Sequence, residues 1–176
     1  MVSVAPAARS GNPGAALRRR GSTEYNLGVS EEPWYADGLR FACTRCGNCC
    51  TGTPGHVRVS LDEVRRLAAS LDLDEHRFLD MYTHRLSSGG FTLRERGGGD
   101  CTFWDAERGC TVYELRPRQC RTWPFWRGVV ATRAHWEAAA NDCPGMDRGE
   151  LHAADEIGAT SASDGTSGTI PEPPDH

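Results

Sequence analysis

Four of the eight cysteines fall inside one stretch, FACTRCGNCC, as Cys43, Cys46, Cys49 and Cys50. Cys43, Cys46 and Cys49 have two residues between neighbours, and Gly47 lets the loop fold tightly round a centre, so three sulfurs aim at one point. Thiolate sulfurs placed this way hold an iron-sulfur cluster, and a pair of Cys-x2-Cys units equally suits half of a zinc site. Spacing alone leaves both metals open. Cys50 follows Cys49 directly, and adjacent side chains usually diverge, which predicts two sites or one larger cluster in preference to a single small ion. Cys101, Cys110, Cys120 and Cys143 bring the total to eight thiols, enough for two four-sulfur sites. Buried cysteines acting as small apolar residues are the alternative. That account has no packing reason to gather four of them within eight positions, and it competes better for the later four.

Around the later cysteines the segment CTVYELRPRQCRTWPFW concentrates Arg116, Arg118 and Arg121 beside Tyr113, Trp123, Phe125 and Trp126. Cysteine-ligated clusters carry net negative charge, so Arg116 and Arg121 are candidates to neutralise one from just outside its ligands, with the aromatics restricting solvent. The competing reading makes the arginines solvated and the aromatics core. The six histidines form no ligand pattern, with His76 and His84 expected at non-adjacent turns of one helix. No Ser-His-Asp set, HExxH helix, GxGxxG turn or phosphate loop is present.

A chain of 176 residues has room for one domain. With 38% hydrophobic residues its core is modest, and metal staples would supplement apolar burial. All 20 basic residues are arginine, which excludes lysine Schiff-base chemistry and a phosphate-loop lysine. A net charge of -4 argues against a nucleic-acid partner. The first residues lack the apolar run of a secretory signal, and nothing approaches the ~18 apolar residues of a membrane span. A cytoplasmic location with reduced thiols is therefore expected, where cysteine clusters are metal ligands more often than disulfide frameworks.

The elements that must position these groups give an α+β expectation: a small, irregular, cysteine-rich, metal-stapled domain with two or three helices and short strands. Val57 and Val59 suit a short strand. Ser60 and Glu63 form a capping box ahead of the stripe Leu61, Val64, Leu67, Ala68 and Leu71, which predicts a helix. Asp72 with Glu75 opens a second, expected to reach about Leu86. Phe91–Leu93 and Cys101–Trp104 read as a hairpin round the turn at Gly97 to Gly99. A short helical turn is expected between Tyr113 and Cys120 with Pro117 at its first position, and a helix over Ala131–Ala140. Residues 1–32 read as a disordered leader, 33–150 as the cysteine-cluster domain and 151–176 as a disordered tail.

FACTRCGNCC, GDCTFW at 99–104, CTVYELRPRQCRTWP at 110–124 and CPG at 143–145 together resemble the YkgJ-type cysteine-cluster family of zinc- or iron-chelating domains, the CxxCxxCC proteins. The resemblance spans about residues 33–150. It implies a compact bacterial domain binding an iron-sulfur cluster or zinc, with all eight cysteines as ligands. The family is similar to a domain of flagellin lysine methylases. The leading expectation is a metal-binding or redox module with an iron-sulfur cluster and an electron-transfer or protein partner. Structural zinc in an interaction scaffold is the second. The third is a small metal-dependent oxidoreductase or methyltransferase with a pocket lined by Tyr113, Trp123 and Trp126.

Overall fold

The computed structural model describes residues 32–52 and 54–166. Helix α1 (Leu61–Ser70) begins where Ser60 takes an extended conformation and its hydroxyl accepts the Glu63 N–H at 3.3 Å, while the Glu63 carboxylate accepts the Ser60 N–H at 2.9 Å. That reciprocal cap is worth about 1 kcal/mol. The expected stripe faces inward, with Val64, Leu67 and Ala68 buried. Helix α2 (Glu75–Tyr82) is capped by Asp74, whose carboxylate accepts the Arg77 N–H. Asp72 instead sits in the turn between the helices with φ 55°.

Helix α2 ends four residues short of the expected Leu86. Strand β3 (Thr83–Arg85) takes over because it pairs with β4 (Phe91–Leu93), which also pairs with β2 (Arg58–Val59), giving an antiparallel sheet in the order β2-β4-β3. His84 thus lies on a strand, not on α2. Cys101 makes only an isolated bridge to Glu95, so the expected hairpin forms one step later, between β5 (Trp104–Asp105) and β6 (Gly109–Cys110). The Asp105 carboxylate fixes its turn by accepting the N–H groups of Glu107 and Arg108.

After a 3-10 turn at Tyr113–Leu115 come α3 (Arg118–Thr122), α4 (Arg127–Val130) and α5 (Arg133–Ala140). Pro117 occupies the N-cap of α3, one place ahead of its expected position. The fold continues past residue 150. Strand β7 (Glu150–His152) pairs antiparallel with β1 (Leu39–Phe41), and α6 (Ala154–Ala162) buries Ile157 completely. The expected tail therefore begins later than composition suggests. The expected leader, apart from Glu32, and the last ten residues fall outside the described ones.

Two apolar clusters result. One joins α1, α2 and the three-stranded sheet round Val64, Leu67, Phe78 and Phe103, with Cys101 and Cys110 packed on its border. The other gathers Leu39, Phe125, Val130, Trp136, Met146 and Ile157, with Cys143 on its border. The aromatics divide accordingly: Phe125 is buried core, and Trp123 packs against the same cluster.

Candidate metal centre

The cysteine loop follows β1 directly and is held at both ends. Ala42 donates its N–H to the Gly145 carbonyl at 3.0 Å, and Gly145 lies so close to Ala42 that a Cβ there would strike the Ala42 carbonyl. Asn48 donates from Nδ2 to the Asp142 carbonyl at 2.7 Å. Pairing of β1 with β7 and these two bonds bring the segments bearing Cys43 and Cys143 together. Within the loop Gly47 has φ 86°, and a Cβ on it would collide with the Trp104 ring. Glycine is required there twice over, by its left-handed backbone and by the indole against it.

The third cysteine segment docks through its backbone. Cys101 donates its N–H to the Cys50 carbonyl at 2.7 Å, and Gly99 touches the Gly52 carbonyl where a Cβ would not fit. Cys120, on α3, is positioned by two side chains that the sequence reading assigned no part in the site. Glu63, almost fully buried, accepts the Arg118 N–H at 2.5 Å with the same carboxylate that caps α1, and the Arg121 guanidinium stands 4.0 Å from it. Gln119 mimics a strand edge: its Oε1 accepts the Arg58 N–H at 2.9 Å and its Nε2 donates to the His56 carbonyl at 2.7 Å. The signal for Glu63 was hidden because the capping box already accounted for it. Gln119 carried no pattern that pointed beyond its own helix.

These segments bring sulfurs into one neighbourhood. Cys49 and Cys50 do not diverge, as adjacent side chains were expected to: their Sγ atoms lie 3.8 Å apart. The hydrogen bond from Cys50 holds the Cys49 thiol below its ordinary range, to about 7, against the burial that raises it, and the Arg116 charge contributes in the same direction. Cys50 moves the opposite way, through that bond, burial and the nearby sulfurs of Cys49, Cys101 and Cys110. Burial raises Cys101 and Cys110 and pushes Cys120 up to about 12, each also feeling the neighbouring thiolates. Cys43 belongs to the same neighbourhood through its effect on Cys110. Among the described residues no three Cys, His, Asp or Glu side chains already stand in a chelating arrangement.

Cys43 and Cys46 are exposed, and Cys49 exposes much of its residue surface while its thiol is partly shielded by the neighbouring segments. Cys143 has its own contact, accepting the Trp123 indole N–H at 3.4 Å. Arg116 lies 3.6 Å over the Tyr113 ring, with Arg45 3.9 Å from the same ring, and acts on Cys49, Cys110 and Cys120. Arg121 turns instead to Glu63 and to the Arg116 carbonyl. The Trp126 indole donates to the Gln119 carbonyl and its ring meets Trp123 edge-on, while Tyr113 lies under Arg116. A cavity of about 550 Å³ opens elsewhere, lined by Pro54, His56, His84 and Arg96 among others.

The CxxCxxCC family model, described as "Putative zinc- or iron-chelating domain", matches residues 42–144. The chain belongs to this family. An uncharacterised protein of Methanocaldococcus jannaschii is 28% identical over 108 residues, covering 61% of this chain and 56% of that relative, so the chain spans little more than half the relative's length. No solved structure matches. The family supports metal chelation, and among the described residues no helix is long and apolar enough to cross a membrane.

Proposed function

We propose that this chain holds an iron-sulfur cluster through its clustered thiolates and serves as an electron-transfer or cluster-dependent module. The observation that carries this reading is the convergence of the Cys49 and Cys50 sulfurs to 3.8 Å beside Cys101, whose N–H is bonded to the Cys50 carbonyl, with Cys43, Cys110 and Cys120 near enough to act electrostatically on this set. A single tetrahedral ion takes about four ligands, so a polynuclear centre uses such a set more fully. The donor chemistry fits, since soft thiolates suit iron and zinc alike. Bound there, an iron-sulfur cluster supplies one-electron exchange. Arg116 offsets the negative charge of the thiolates, and the Gly47–Trp104 contact holds the ligand loop in place.

A second reading, structural zinc, is favoured by the spacing of Cys49 and Cys50. Two thiolates on one tetrahedral zinc, each about 2.3 Å from the metal, lie about 3.8 Å apart, the separation seen here. Protein purified anaerobically without a metal-binding tag separates the two. Iron with acid-labile sulfide and visible absorption supports the cluster, and zinc without sulfide replaces it with the scaffold reading. Eight freely titrating thiols and no metal would overturn both.

A further inference from the structure

The segment that follows α6 makes an unusual concentration of contacts with the short helix that carries Cys120. The Arg118 guanidinium donates from Nε to the Ser163 carbonyl and from Nη2 to the Ser163 hydroxyl at 2.6 Å. One turn further along α3, the Thr122 hydroxyl donates to the Asp164 carbonyl at 2.7 Å. The Asp164 carboxylate, 3% exposed, accepts the Arg127 N–H at 2.7 Å on Oδ2, and the N–H and hydroxyl of Thr166 on Oδ1. Gly165, with φ 83°, lies against the Gln119 backbone where a Cβ would be crowded. Residues 163–166 thus grip α3 at Arg118, Gln119 and Thr122 and also the first residue of α4, and Cys120 lies in the middle of that span.

None of these gripping residues belongs to the stretch matched by the family, which ends at residue 144. Helix α3 has five residues and no side-chain cap of its own, so it has little intrinsic stability and its orientation must come from outside. Glu63 and Gln119 hold its first turn to α1 and β2. The end of the helix, from Thr122 into α4, is held by Asp164.

We propose that Asp164 is a positioning residue for the metal centre: by clamping the span from Thr122 to Arg127 it fixes α3 so that the Cys120 thiol stays available as a ligand. This rests on the reading of Cys120 as a metal ligand. A buried carboxylate accepting three hydrogen bonds is costly to leave unmatched, and removing it frees the Arg127 N–H and both Thr166 donors together. The Thr122 bond goes to the Asp164 carbonyl, so the consequence reaches α3 through the carboxylate's bonds to Arg127 and Thr166, which fix where that carbonyl stands.

The test reads each cysteine separately. The metal-loaded chain and its metal-stripped form are alkylated in the folded state at alkaline pH, for long enough that Cys120 reacts in the stripped wild type, and each cysteine is quantified by peptide mass spectrometry, in the wild type and in Asp164→Ala and Asp164→Asn. In the wild type, Cys120 is protected by the metal together with Cys49, Cys50 and Cys101. Asp164→Ala is expected to abolish the metal-dependent protection of Cys120 while the other three stay protected. Asp164→Asn, which keeps an acceptor, is expected to restore part of it. Loss of protection at all cysteines together, or at none, would reduce Asp164 to an ordinary structural residue and overturn the proposal. A wild type in which Cys120 is unprotected while the others are protected would overturn it and leave metal binding standing. No metal-dependent protection at any cysteine would instead sink the metal reading itself.

Discussion

At Cys49 and Cys50 two sulfurs on neighbouring residues converge to 3.8 Å, and their protonation is driven apart. Cys49, held near 7 by its neighbour's hydrogen bond, is the thiol that ionises first. In the metal-free protein its alkylation rate is expected to reach half-maximum near pH 7 and to plateau above it, whereas Cys120, pushed up to about 12, reacts far more slowly across that range. A Cys49 midpoint near the free-thiol value of about 8.5 would contradict the pairing. Because Cys50, Cys101, Cys110 and Cys120 are raised, metal held by the proposed ligand set would have to displace their protons. Affinity should therefore fall as pH falls, with proton release measurable in a calorimeter as a buffer-dependent heat. Gly47 is the other critical residue. Gly47→Ala places a Cβ into the Trp104 ring at φ 86°, a strain of about 1–3 kcal/mol before the clash is counted. The expected result is a lower urea midpoint and a changed tryptophan emission, and an unchanged midpoint would refute the close packing.

Among the elements, those set by local chemistry could be read from the sequence, and those set by partners could not. Ser60 and Glu63 announce α1, the Val57-Arg58-Val59 alternation announces β2, and the alanine run announces α5. Thr83 to Arg85 continue the helical spacing of Phe78 and Tyr82, yet pairing with β4 draws them into a strand, an interaction no local pattern records. Helix α6 escaped for a related reason. Its residues are mostly small or polar, and only Ile157 reveals that it packs. The candidate cysteines Cys43, Cys46, Cys49 and Cys50 stand out in the sequence, but the residues that fix the segments around them, Trp104 against the loop and Glu63 and Gln119 on the helix of Cys120, act across long sequence separations. Replacing Ile157 by Ala empties a fully buried site and is expected to cost about 2–5 kcal/mol in a denaturant titration. A loss below about 0.5 kcal/mol would mean that α6 lies on the surface without supporting the fold.

For the whole molecule, the cysteine segments run along the border between two small apolar clusters, with Cys101 and Cys110 on one side and Cys143 on the other. On the proposed reading, metal held through Cys101 and Cys110 would brace the first of these modest clusters, and its binding energy would become folding energy. The metal-stripped chain is therefore expected to melt well below the loaded one and to regain its melting temperature when the metal is restored. Equal melting temperatures would separate the site from the fold. The most direct test of the central claim is the native mass of the anaerobically purified chain set beside its denatured mass. Bound metal predicts a native mass in excess by the metal, with any sulfide, less the protons displaced, and loss of that excess in the Cys49→Ser, Cys50→Ser double variant. A native mass equal to that of the bare 176-residue chain, with all eight thiols open to titration, would contradict it.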